Sequence, residues 1–242
     1  MKNITYCLLF LFPLCTGCSS AYIPSSKNVP LFEEKGEVQI ETGVSTNSLY
    51  LTGSYAFSDN YAVIANGSAS YPALVGKPIR GYSETMIFLD GDVPHYSCEA
   101  GFGRYNLLPL SERRLEVFAG AGYGMSYSYF SEGNKGNYMQ GFVQINTGKR
   151  YEHAEIGWAL RAAYVGFQYQ YEYHKSQFEN GIRQPDKLII EHGNIQTFHL
   201  EPLFVIRTGG RVKWFARTGL NLAFPFFDDT IFHFSTGLSC RF

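Results

Sequence analysis

From Leu115 to Tyr129, apolar residues alternate with small or polar ones without a break. Leu115, Val117, Ala119, Ala121, Tyr123, Met125, Tyr127 and Tyr129 share one phase; Glu116, Phe118, Gly120, Gly122, Gly124, Ser126 and Ser128 share the other. Successive side chains of a strand point to opposite faces, so the pattern predicts a long strand with one apolar face and one small, mostly polar face. A barrel wall with lipid outside and a tight polar lumen inside needs that division.

The same two-residue period recurs along the body of the chain. It runs through Val38–Val44, Leu49–Phe57, Tyr61–Ala69, Tyr96–Tyr105, Met139–Ile145, Ile156–Tyr164, Phe198–Ile206, Trp214–Phe224 and Phe232–Phe242. Beyond Gly166 the apolar phase changes to Phe167, Tyr169, Tyr171 and Tyr173, which predicts a bulge. Tyr71–Pro94 and Lys175–Ile189 lack alternation and read as long loops, with a shorter polar loop at Ser131–Asn137. Compact connections at Asp59-Asn60, Pro109–Arg113, Gly148–His153 and Gly209-Gly210 fall between them. Long loops at one end and short turns at the other predict an all-β, antiparallel, up-and-down transmembrane β-barrel of about ten strands. Ten residues at about 3.3 Å each, tilted about 40°, span the roughly 25 Å of an apolar band. Tyr61, Tyr71, Tyr127, Tyr129, Tyr171 and Tyr173 sit at strand ends, where an interfacial girdle belongs.

Composition narrows the partners. Charged residues make up 17% of the chain, below the roughly 25% of soluble domains, and aromatics reach 17%. The net charge is -1 with no basic run, which argues against nucleic acid as a partner. The start of the chain has Lys2, an apolar stretch from Tyr6 to Leu14, then Cys15-Thr16-Gly17-Cys18. That stretch is far short of the roughly 20 residues of a spanning helix and reads as a secretory signal. The small residues before Cys18 resemble the lipobox of bacterial lipoproteins, with Cys15 where a leucine is usual. The resemblance implies a signal peptide over 1–17, Cys18 as the acylated (palmitate-bearing) mature N-terminus, a lipidated tether over 18–34 and a barrel domain over 35–242. The other reading is an ordinary signal peptide without lipid. Cys98 and Cys240 fall on the apolar phase of strands placed far apart, as small wall residues rather than a disulfide.

The last segment, Ser235-Thr236-Gly237-Leu238-Ser239-Cys240-Arg241-Phe242, resembles the C-terminal assembly signal of outer-membrane barrels. Ser235, Gly237, Cys240 and Phe242 take its key positions, Cys240 standing where a larger apolar residue is usual. Together with the lipobox and the alternation, the chain resembles outer-membrane β-barrel lipoproteins of Gram-negative bacteria. That resemblance implies outer-membrane lipid and the barrel-assembly machinery as partners. An even strand count puts both termini on the periplasmic side, Cys18 in the inner leaflet, and the loops at 71–94 and 175–189 outside. The competing fold is a soluble barrel or sandwich, which would leave Gly120, Gly122 and Gly124 on a bare outer surface.

No cofactor or metal site is expected. Gly120–Gly124 lies inside a strand without the helix a phosphate loop needs. The six histidines lack ligand spacing, and Asp90-Gly91-Asp92 lacks the remaining ligands of a calcium loop. His233-Phe234-Ser235 has the His-x-Ser spacing of outer-membrane lipid A deacylases, but only seven residues follow and none is acidic. Four readings stand: a non-enzymatic barrel with a structural or surface-interaction role, a lipid-acting barrel enzyme using His233 and Ser235, a narrow pore, and a periplasmic lipid-binding barrel. The first requires nothing unseen. On the inward phase, Glu41, Glu99, Glu116, Glu155 and Glu201 face Arg161, Lys213, Arg217 and Arg241. Unpaired charge in a narrow lumen is costly, so an Arg161–Glu201–Arg217 cluster is expected to plug it.

Overall fold

The computed structural model describes residues 26–45, 48–70, 95–108, 112–127, 135–179, 182–224 and 231–242, with backbone alone at 127, 135, 171–179, 182–187 and 231. Among them are ten strands and no helix. The strands are β1 (Val38–Ser45), β2 (Ser48–Ala56), β3 (Tyr61–Ser70), β4 (His95–Arg104), β5 (Arg114–Tyr127), β6 (Lys135–Arg150), β7 (Ala154–Glu179), β8 (Ile182–Gly209), β9 (Val212–Phe224) and β10 (Ile231–Arg241). Each pairs antiparallel with its sequence neighbours, and β1 pairs with β10 to close the barrel. The expected fold class holds.

The two faces sort as the alternation predicts. Leu51, Phe102, Val143, Trp158 and Leu238 stand exposed on the outside, while Glu41, Glu99, Glu116, Glu155, Glu201, Arg161 and Arg217 are buried within. A soluble protein does not expose an apolar surface that encircles it while burying its charges; a wall facing lipid does. Cys98 and Cys240 are free thiols on that wall. Closure depends on small residues, since Gly43 and Gly237 face each other across the seam. A methyl on either would overlap the opposite backbone.

The two ends of the barrel differ. At the turn end lie the Ser58–Asn60, Arg150–Ala154 and Gly209–Val212 connections, together with Phe242. At the opposite, hairpin end, β7 and β8 run on as a paired ribbon to Glu179 and Ile182. The expected loop at 175–189 is therefore corrected to strand. Its missing alternation has a physical cause: from Leu188 to Gln196 no residue is buried, so neither face selects for apolar side chains. The bulge expected after Gly166 is also corrected. Pairing is regular from Ala154 to Lys175, and the register shifts only between Lys175 and Gln177. Phe167 keeps the inward phase of Val165 and packs beside Tyr138 and Val165, so at that position an aromatic residue occupies the inner face; the side chains of Tyr171 and Tyr173 lie outside those described. Lys135–Asn137 belong to β6 rather than to a loop, and 71–94 lie outside the described residues.

One departure decides what the lumen holds. Residues 26–34 fall within the segment read from the sequence as a lipidated tether, 18–34. Instead Lys27, Asn28, Val29, Pro30, Leu31 and Phe32 are buried inside the barrel before the chain turns at Glu33–Gly36 into β1. Phe32 joins Ala56, Ala62, Tyr105, Phe118 and Phe142 in one apolar cluster. Val29 and Leu31 join Tyr50, Ala159, Leu203, Val205 and Phe215 in another. A segment with Val29, Leu31 and Phe32 gains by burial, and small inner positions such as Gly148 and Gly157 leave room for the Leu31 side chain.

Candidate functional site

The inner face and the segment Ser26–Phe32, here called the strap, form one layered network. At the turn end Glu155 accepts Lys213 Nζ at 2.6 Å and takes Arg207, Arg241 and Arg150 at 3.3, 3.3 and 3.5 Å. Arg150 also reaches Glu37 at 2.9 Å. One layer further in, Glu41 sits between Arg207, whose Nε lies 2.6 Å away, and Arg217. Gln39 and Thr52 donate to the same carboxylate at 2.7 and 3.4 Å. The next layer holds Glu99, which pairs with Arg161 at 2.8 Å and accepts from Gln140 at 2.6 Å and from Asn66.

The strap is bonded at every layer. Arg217 donates to the Ser26 hydroxyl. Lys27 Nζ lies 3.0 Å from Glu201, both side chains fully buried. Asn28 donates to the Gly53 carbonyl at 2.9 Å, and Gln144 donates to the Asn28 carbonyl at 2.7 Å. Arg207 and Arg241 donate to the carbonyls of Val29 and Pro30 at 2.8 and 2.7 Å. Finally the Phe32 amide donates to Glu116 at 2.6 Å, where Asn146 donates as well. A segment with no helix or strand pairing inside a barrel leaves its backbone groups unpaired, so these side chains supply the partners that burial demands.

The expected charge cluster is resolved differently. Arg161 lies opposite Glu201 in the β7–β8 register, yet its guanidinium goes to Glu99 and Gln144. Arg217 lies opposite Val205, two inward positions nearer the turn end than Glu201, and goes to Glu41. Glu201 takes Lys27. Each member has a separate partner because antiparallel register fixes only Cα neighbours. Long guanidinium arms then reach across the narrow lumen to strands far off in sequence. Arg207, fully buried between Glu41 and Glu155, was missed because it sits next to the β8–β9 turn. Lys27 was missed because the strap has no period; the apolar Val29, Leu31 and Phe32 in a supposed tether were the available signal.

His233 and Ser235 both lie on the inner side of β10, opposite Gly219 and Arg217. Among the described residues no hydrogen bond joins them, and His233 Nε2 and Ser235 Oγ have no hydrogen-bond partner. Gly237 occupies the closing seam, Cys240 pairs with Ile40 on the wall, and Phe242 exchanges two backbone hydrogen bonds with Val38 at 3.1 and 3.0 Å. No group of three potential metal ligands occurs among the described residues. Cys18 lies outside them.

The closed barrel, its apolar outer wall and its charged interior define the class: an outer-membrane-type β-barrel. Among solved structures the chain is similar to the outer membrane protease OmpT from Escherichia coli, at 12% identity and a TM-score of 0.47, over 86% of this chain and 93% of that one. It is also similar to a loop L8 deletion mutant of OmpT, an outer membrane protein of Vibrio cholerae, at 9% identity and a TM-score of 0.19, over 86% and 97% of the two chains. No protein-family model matches the chain, and no curated protein does.

Proposed function

We propose that this chain is an outer-membrane lipoprotein whose barrel is filled by its own N-terminal strap, and that it serves a structural or surface-interaction role rather than conducting solutes or catalysing a reaction. The observation that carries this reading is the burial of Lys27–Phe32 against charged and polar side chains of β5, β6, β8 and β10. The buried strap takes up space inside the lumen, which argues against the pore reading. Among the described residues, Val29, Leu31 and Phe32 take up the apolar space inside the barrel that the lipid-binding reading needs. The His233/Ser235 pair lies on the inner side of β10 rather than toward lipid, and no hydrogen bond joins the two among the described residues, which disfavours the lipid-acting enzyme reading. Surface interaction is favoured by the β7–β8 ribbon, which carries exposed Leu188 and Ile190 past the last β6–β7 pair. Outer-membrane lipid and the assembly machinery are the expected partners, and Cys18 is the expected anchor.

Purified protein in planar bilayers tests the proposal. The intact chain should give no steady conductance, and deletion of residues 26–32 should open one. Steady conductance through the intact protein would overturn the filled-lumen reading in favour of a pore. Intact mass decides the anchor: a mature chain beginning at Cys18 carries the added acyl mass, and an unmodified start elsewhere removes the lipoprotein element.

A further inference from the structure

Hydrogen bonding inside the barrel is uneven around its wall. Around Glu99 and Gln144 the inner polar groups are tied together. Glu99 holds Arg161, Gln140 and Asn66, and Gln144 is bonded to Arg161, Asn146 and the Asn28 carbonyl. Where β2, β1, β10 and β9 meet, the groups are not tied. Tyr50, Arg217, Ser235 and Asn221 are buried there, and each keeps one polar atom without a hydrogen-bond partner among the described residues: Oη, Nε, Oγ and Nδ2. His233 Nε2, lying over Gly219 between Arg217 and Asn221, is a fifth. A buried polar group in a native fold normally has a partner, so a concentration of orphans points to a ligand.

The register brings three of these side chains to one spot. Ser235 lies directly across from Arg217 on β9 and from Ser45 on β1. Tyr50 reaches the same place from β2. Its hydroxyl lies over Gly43, where a Cβ would stand 2.8 Å from it, and Gly43 pairs with Gly237, two residues from Ser235. The hydroxyls of Ser26 and Ser235 interact with that of Tyr50 without hydrogen-bond geometry. The Arg217 guanidinium stands 5.6 Å from the centre of the Tyr50 ring.

All three orphan atoms carry a hydrogen to donate: two hydroxyls and one guanidinium N–H. The charge agrees with the donors. Arg217 Nη1 binds the Ser26 hydroxyl and Nη2 binds Glu41, but Glu41 also holds Arg207, so one carboxylate faces two guanidinium groups. Glu201, the carboxylate with unbonded oxygens, is held by Lys27 at 3.0 Å. It sits four residues along β8 from Val205, the partner of Arg217 across the ladder. Three donors, one of them cationic, without an acceptor in a low-dielectric interior are what a buried anion requires. The Tyr50 and Phe215 rings, 6.3 Å apart, and Ser26 wall the spot closely, which favours a single-atom anion over a phosphate or carboxylate.

We propose that Tyr50, Arg217 and Ser235 form a binding site for a small halide-type anion, of the class of chloride, inside the lumen beside the β1–β10 seam. The anion accepts from the Tyr50 and Ser235 hydroxyls and from Arg217 Nε. It thereby ties β2, β9 and β10 together next to the pair of strands that closes the barrel. All three donors belong to the wall, so the site goes beyond the filled-lumen reading and is tested apart from it.

Halide exchange on the full chain folded into lipid vesicles tests it. At constant pH and ionic strength, replacing sodium gluconate by sodium chloride or bromide should raise the urea midpoint of unfolding in a saturable way. Tyr50→Phe keeps the ring against Arg217 and Phe215 and removes only the hydroxyl. Tyr50→Phe and Ser235→Ala should each weaken the apparent halide affinity about tenfold, the loss of one hydrogen bond to a charged group. Ser54→Ala removes another buried, unpartnered hydroxyl, four residues from Tyr50 on β2, and should leave the response unchanged. A midpoint that ignores halide, or a response that Ser54→Ala lowers as much as Tyr50→Phe does, overturns the site. Should Tyr50→Phe or Ser235→Ala fail to fold, crystals of the unaltered protein grown in bromide decide the matter. An anomalous peak within bonding distance of Tyr50 Oη, Ser235 Oγ and Arg217 Nε is expected. Its absence means that water, not an anion, takes the three donors, and the proposal fails. Steady conductance through the intact protein would remove the filled lumen and leave each of these outcomes to be read on its own.

Discussion

Glu41 is the position where the lumen network is most exposed to a single perturbation. Its carboxylate is fully buried and holds two fully buried cations, Arg207 and Arg217. Glu41→Ala leaves these unequal. Arg207 keeps Glu155 at 3.3 Å, whereas Arg217 loses its carboxylate and keeps the Ser26 hydroxyl and the faces of Tyr50 and Phe215 at 5.6 and 5.0 Å. Leaving one charge of a buried pair uncompensated costs about 3–5 kcal/mol, and ring faces offset only about 0.5–2 kcal/mol of such a loss. Glu41→Ala should therefore cost about 3 kcal/mol or more, and Arg217→Ala less, since Glu41 retains Arg207. The double mutant should show a coupling of about 1–3 kcal/mol. Urea titration of protein folded into lipid vesicles provides the assay. Trp158 and Trp214, exposed on the outer wall, report the loss of the lipid environment. The same cycle on Arg161 supplies the control. Coupling to Glu99, its ion-pair partner, should exceed coupling to Glu201, its Cα neighbour across the ladder. Coupling near zero between Glu41 and Arg217, or a reversed order for Arg161, would refute the network as drawn.

Two further outcomes follow from the wall. A methyl at Gly120 or Gly124 would overlap Phe142 or the Tyr138 ring, so Gly120→Ala and Gly124→Ala should each cost about 1–3 kcal/mol. Gly53→Ala and Gly141→Ala meet open space and should stay within about 0.5 kcal/mol in the same titration. Removing Phe242 takes away an exposed ring and two backbone hydrogen bonds to Val38, a loss of roughly 1–3 kcal/mol in refolding. Membrane yield in cells should fall much further than refolding does, and equal losses in both assays would make the residue purely structural.

What the sequence discloses about this molecule follows from which forces leave a period behind. The outer wall is selected by lipid at every second position, so Leu51, Phe102, Trp158 and Leu238 mark their strands. By the same alternation the five inward glutamates are assigned to the correct side. Where lipid stops selecting, the signal stops too. Leu188–Gln196 are strand with neither face buried, and their pairing rests on backbone hydrogen bonds that any side chain permits. The ion pairs are illegible for another reason. Glu41 and Arg217 are 176 residues apart and meet because the barrel closes, not because their strands are adjacent in the chain. Lys27 and Glu201 meet only because a segment with no alternation at all runs through the interior. Its polar start, Ser25-Ser26-Lys27-Asn28, has the composition of a solvated linker. Only Val29, Leu31 and Phe32 speak against that, as apolar groups that a linker in water would have no reason to carry. Charge offers a second indication. With Arg161 committed to Glu99, Glu201 needs a further cation, and Lys27 of the strap provides it at 3.0 Å. Counting the inward charges strand by strand and asking which one lacks a partner is therefore a way to find a chain inside a barrel.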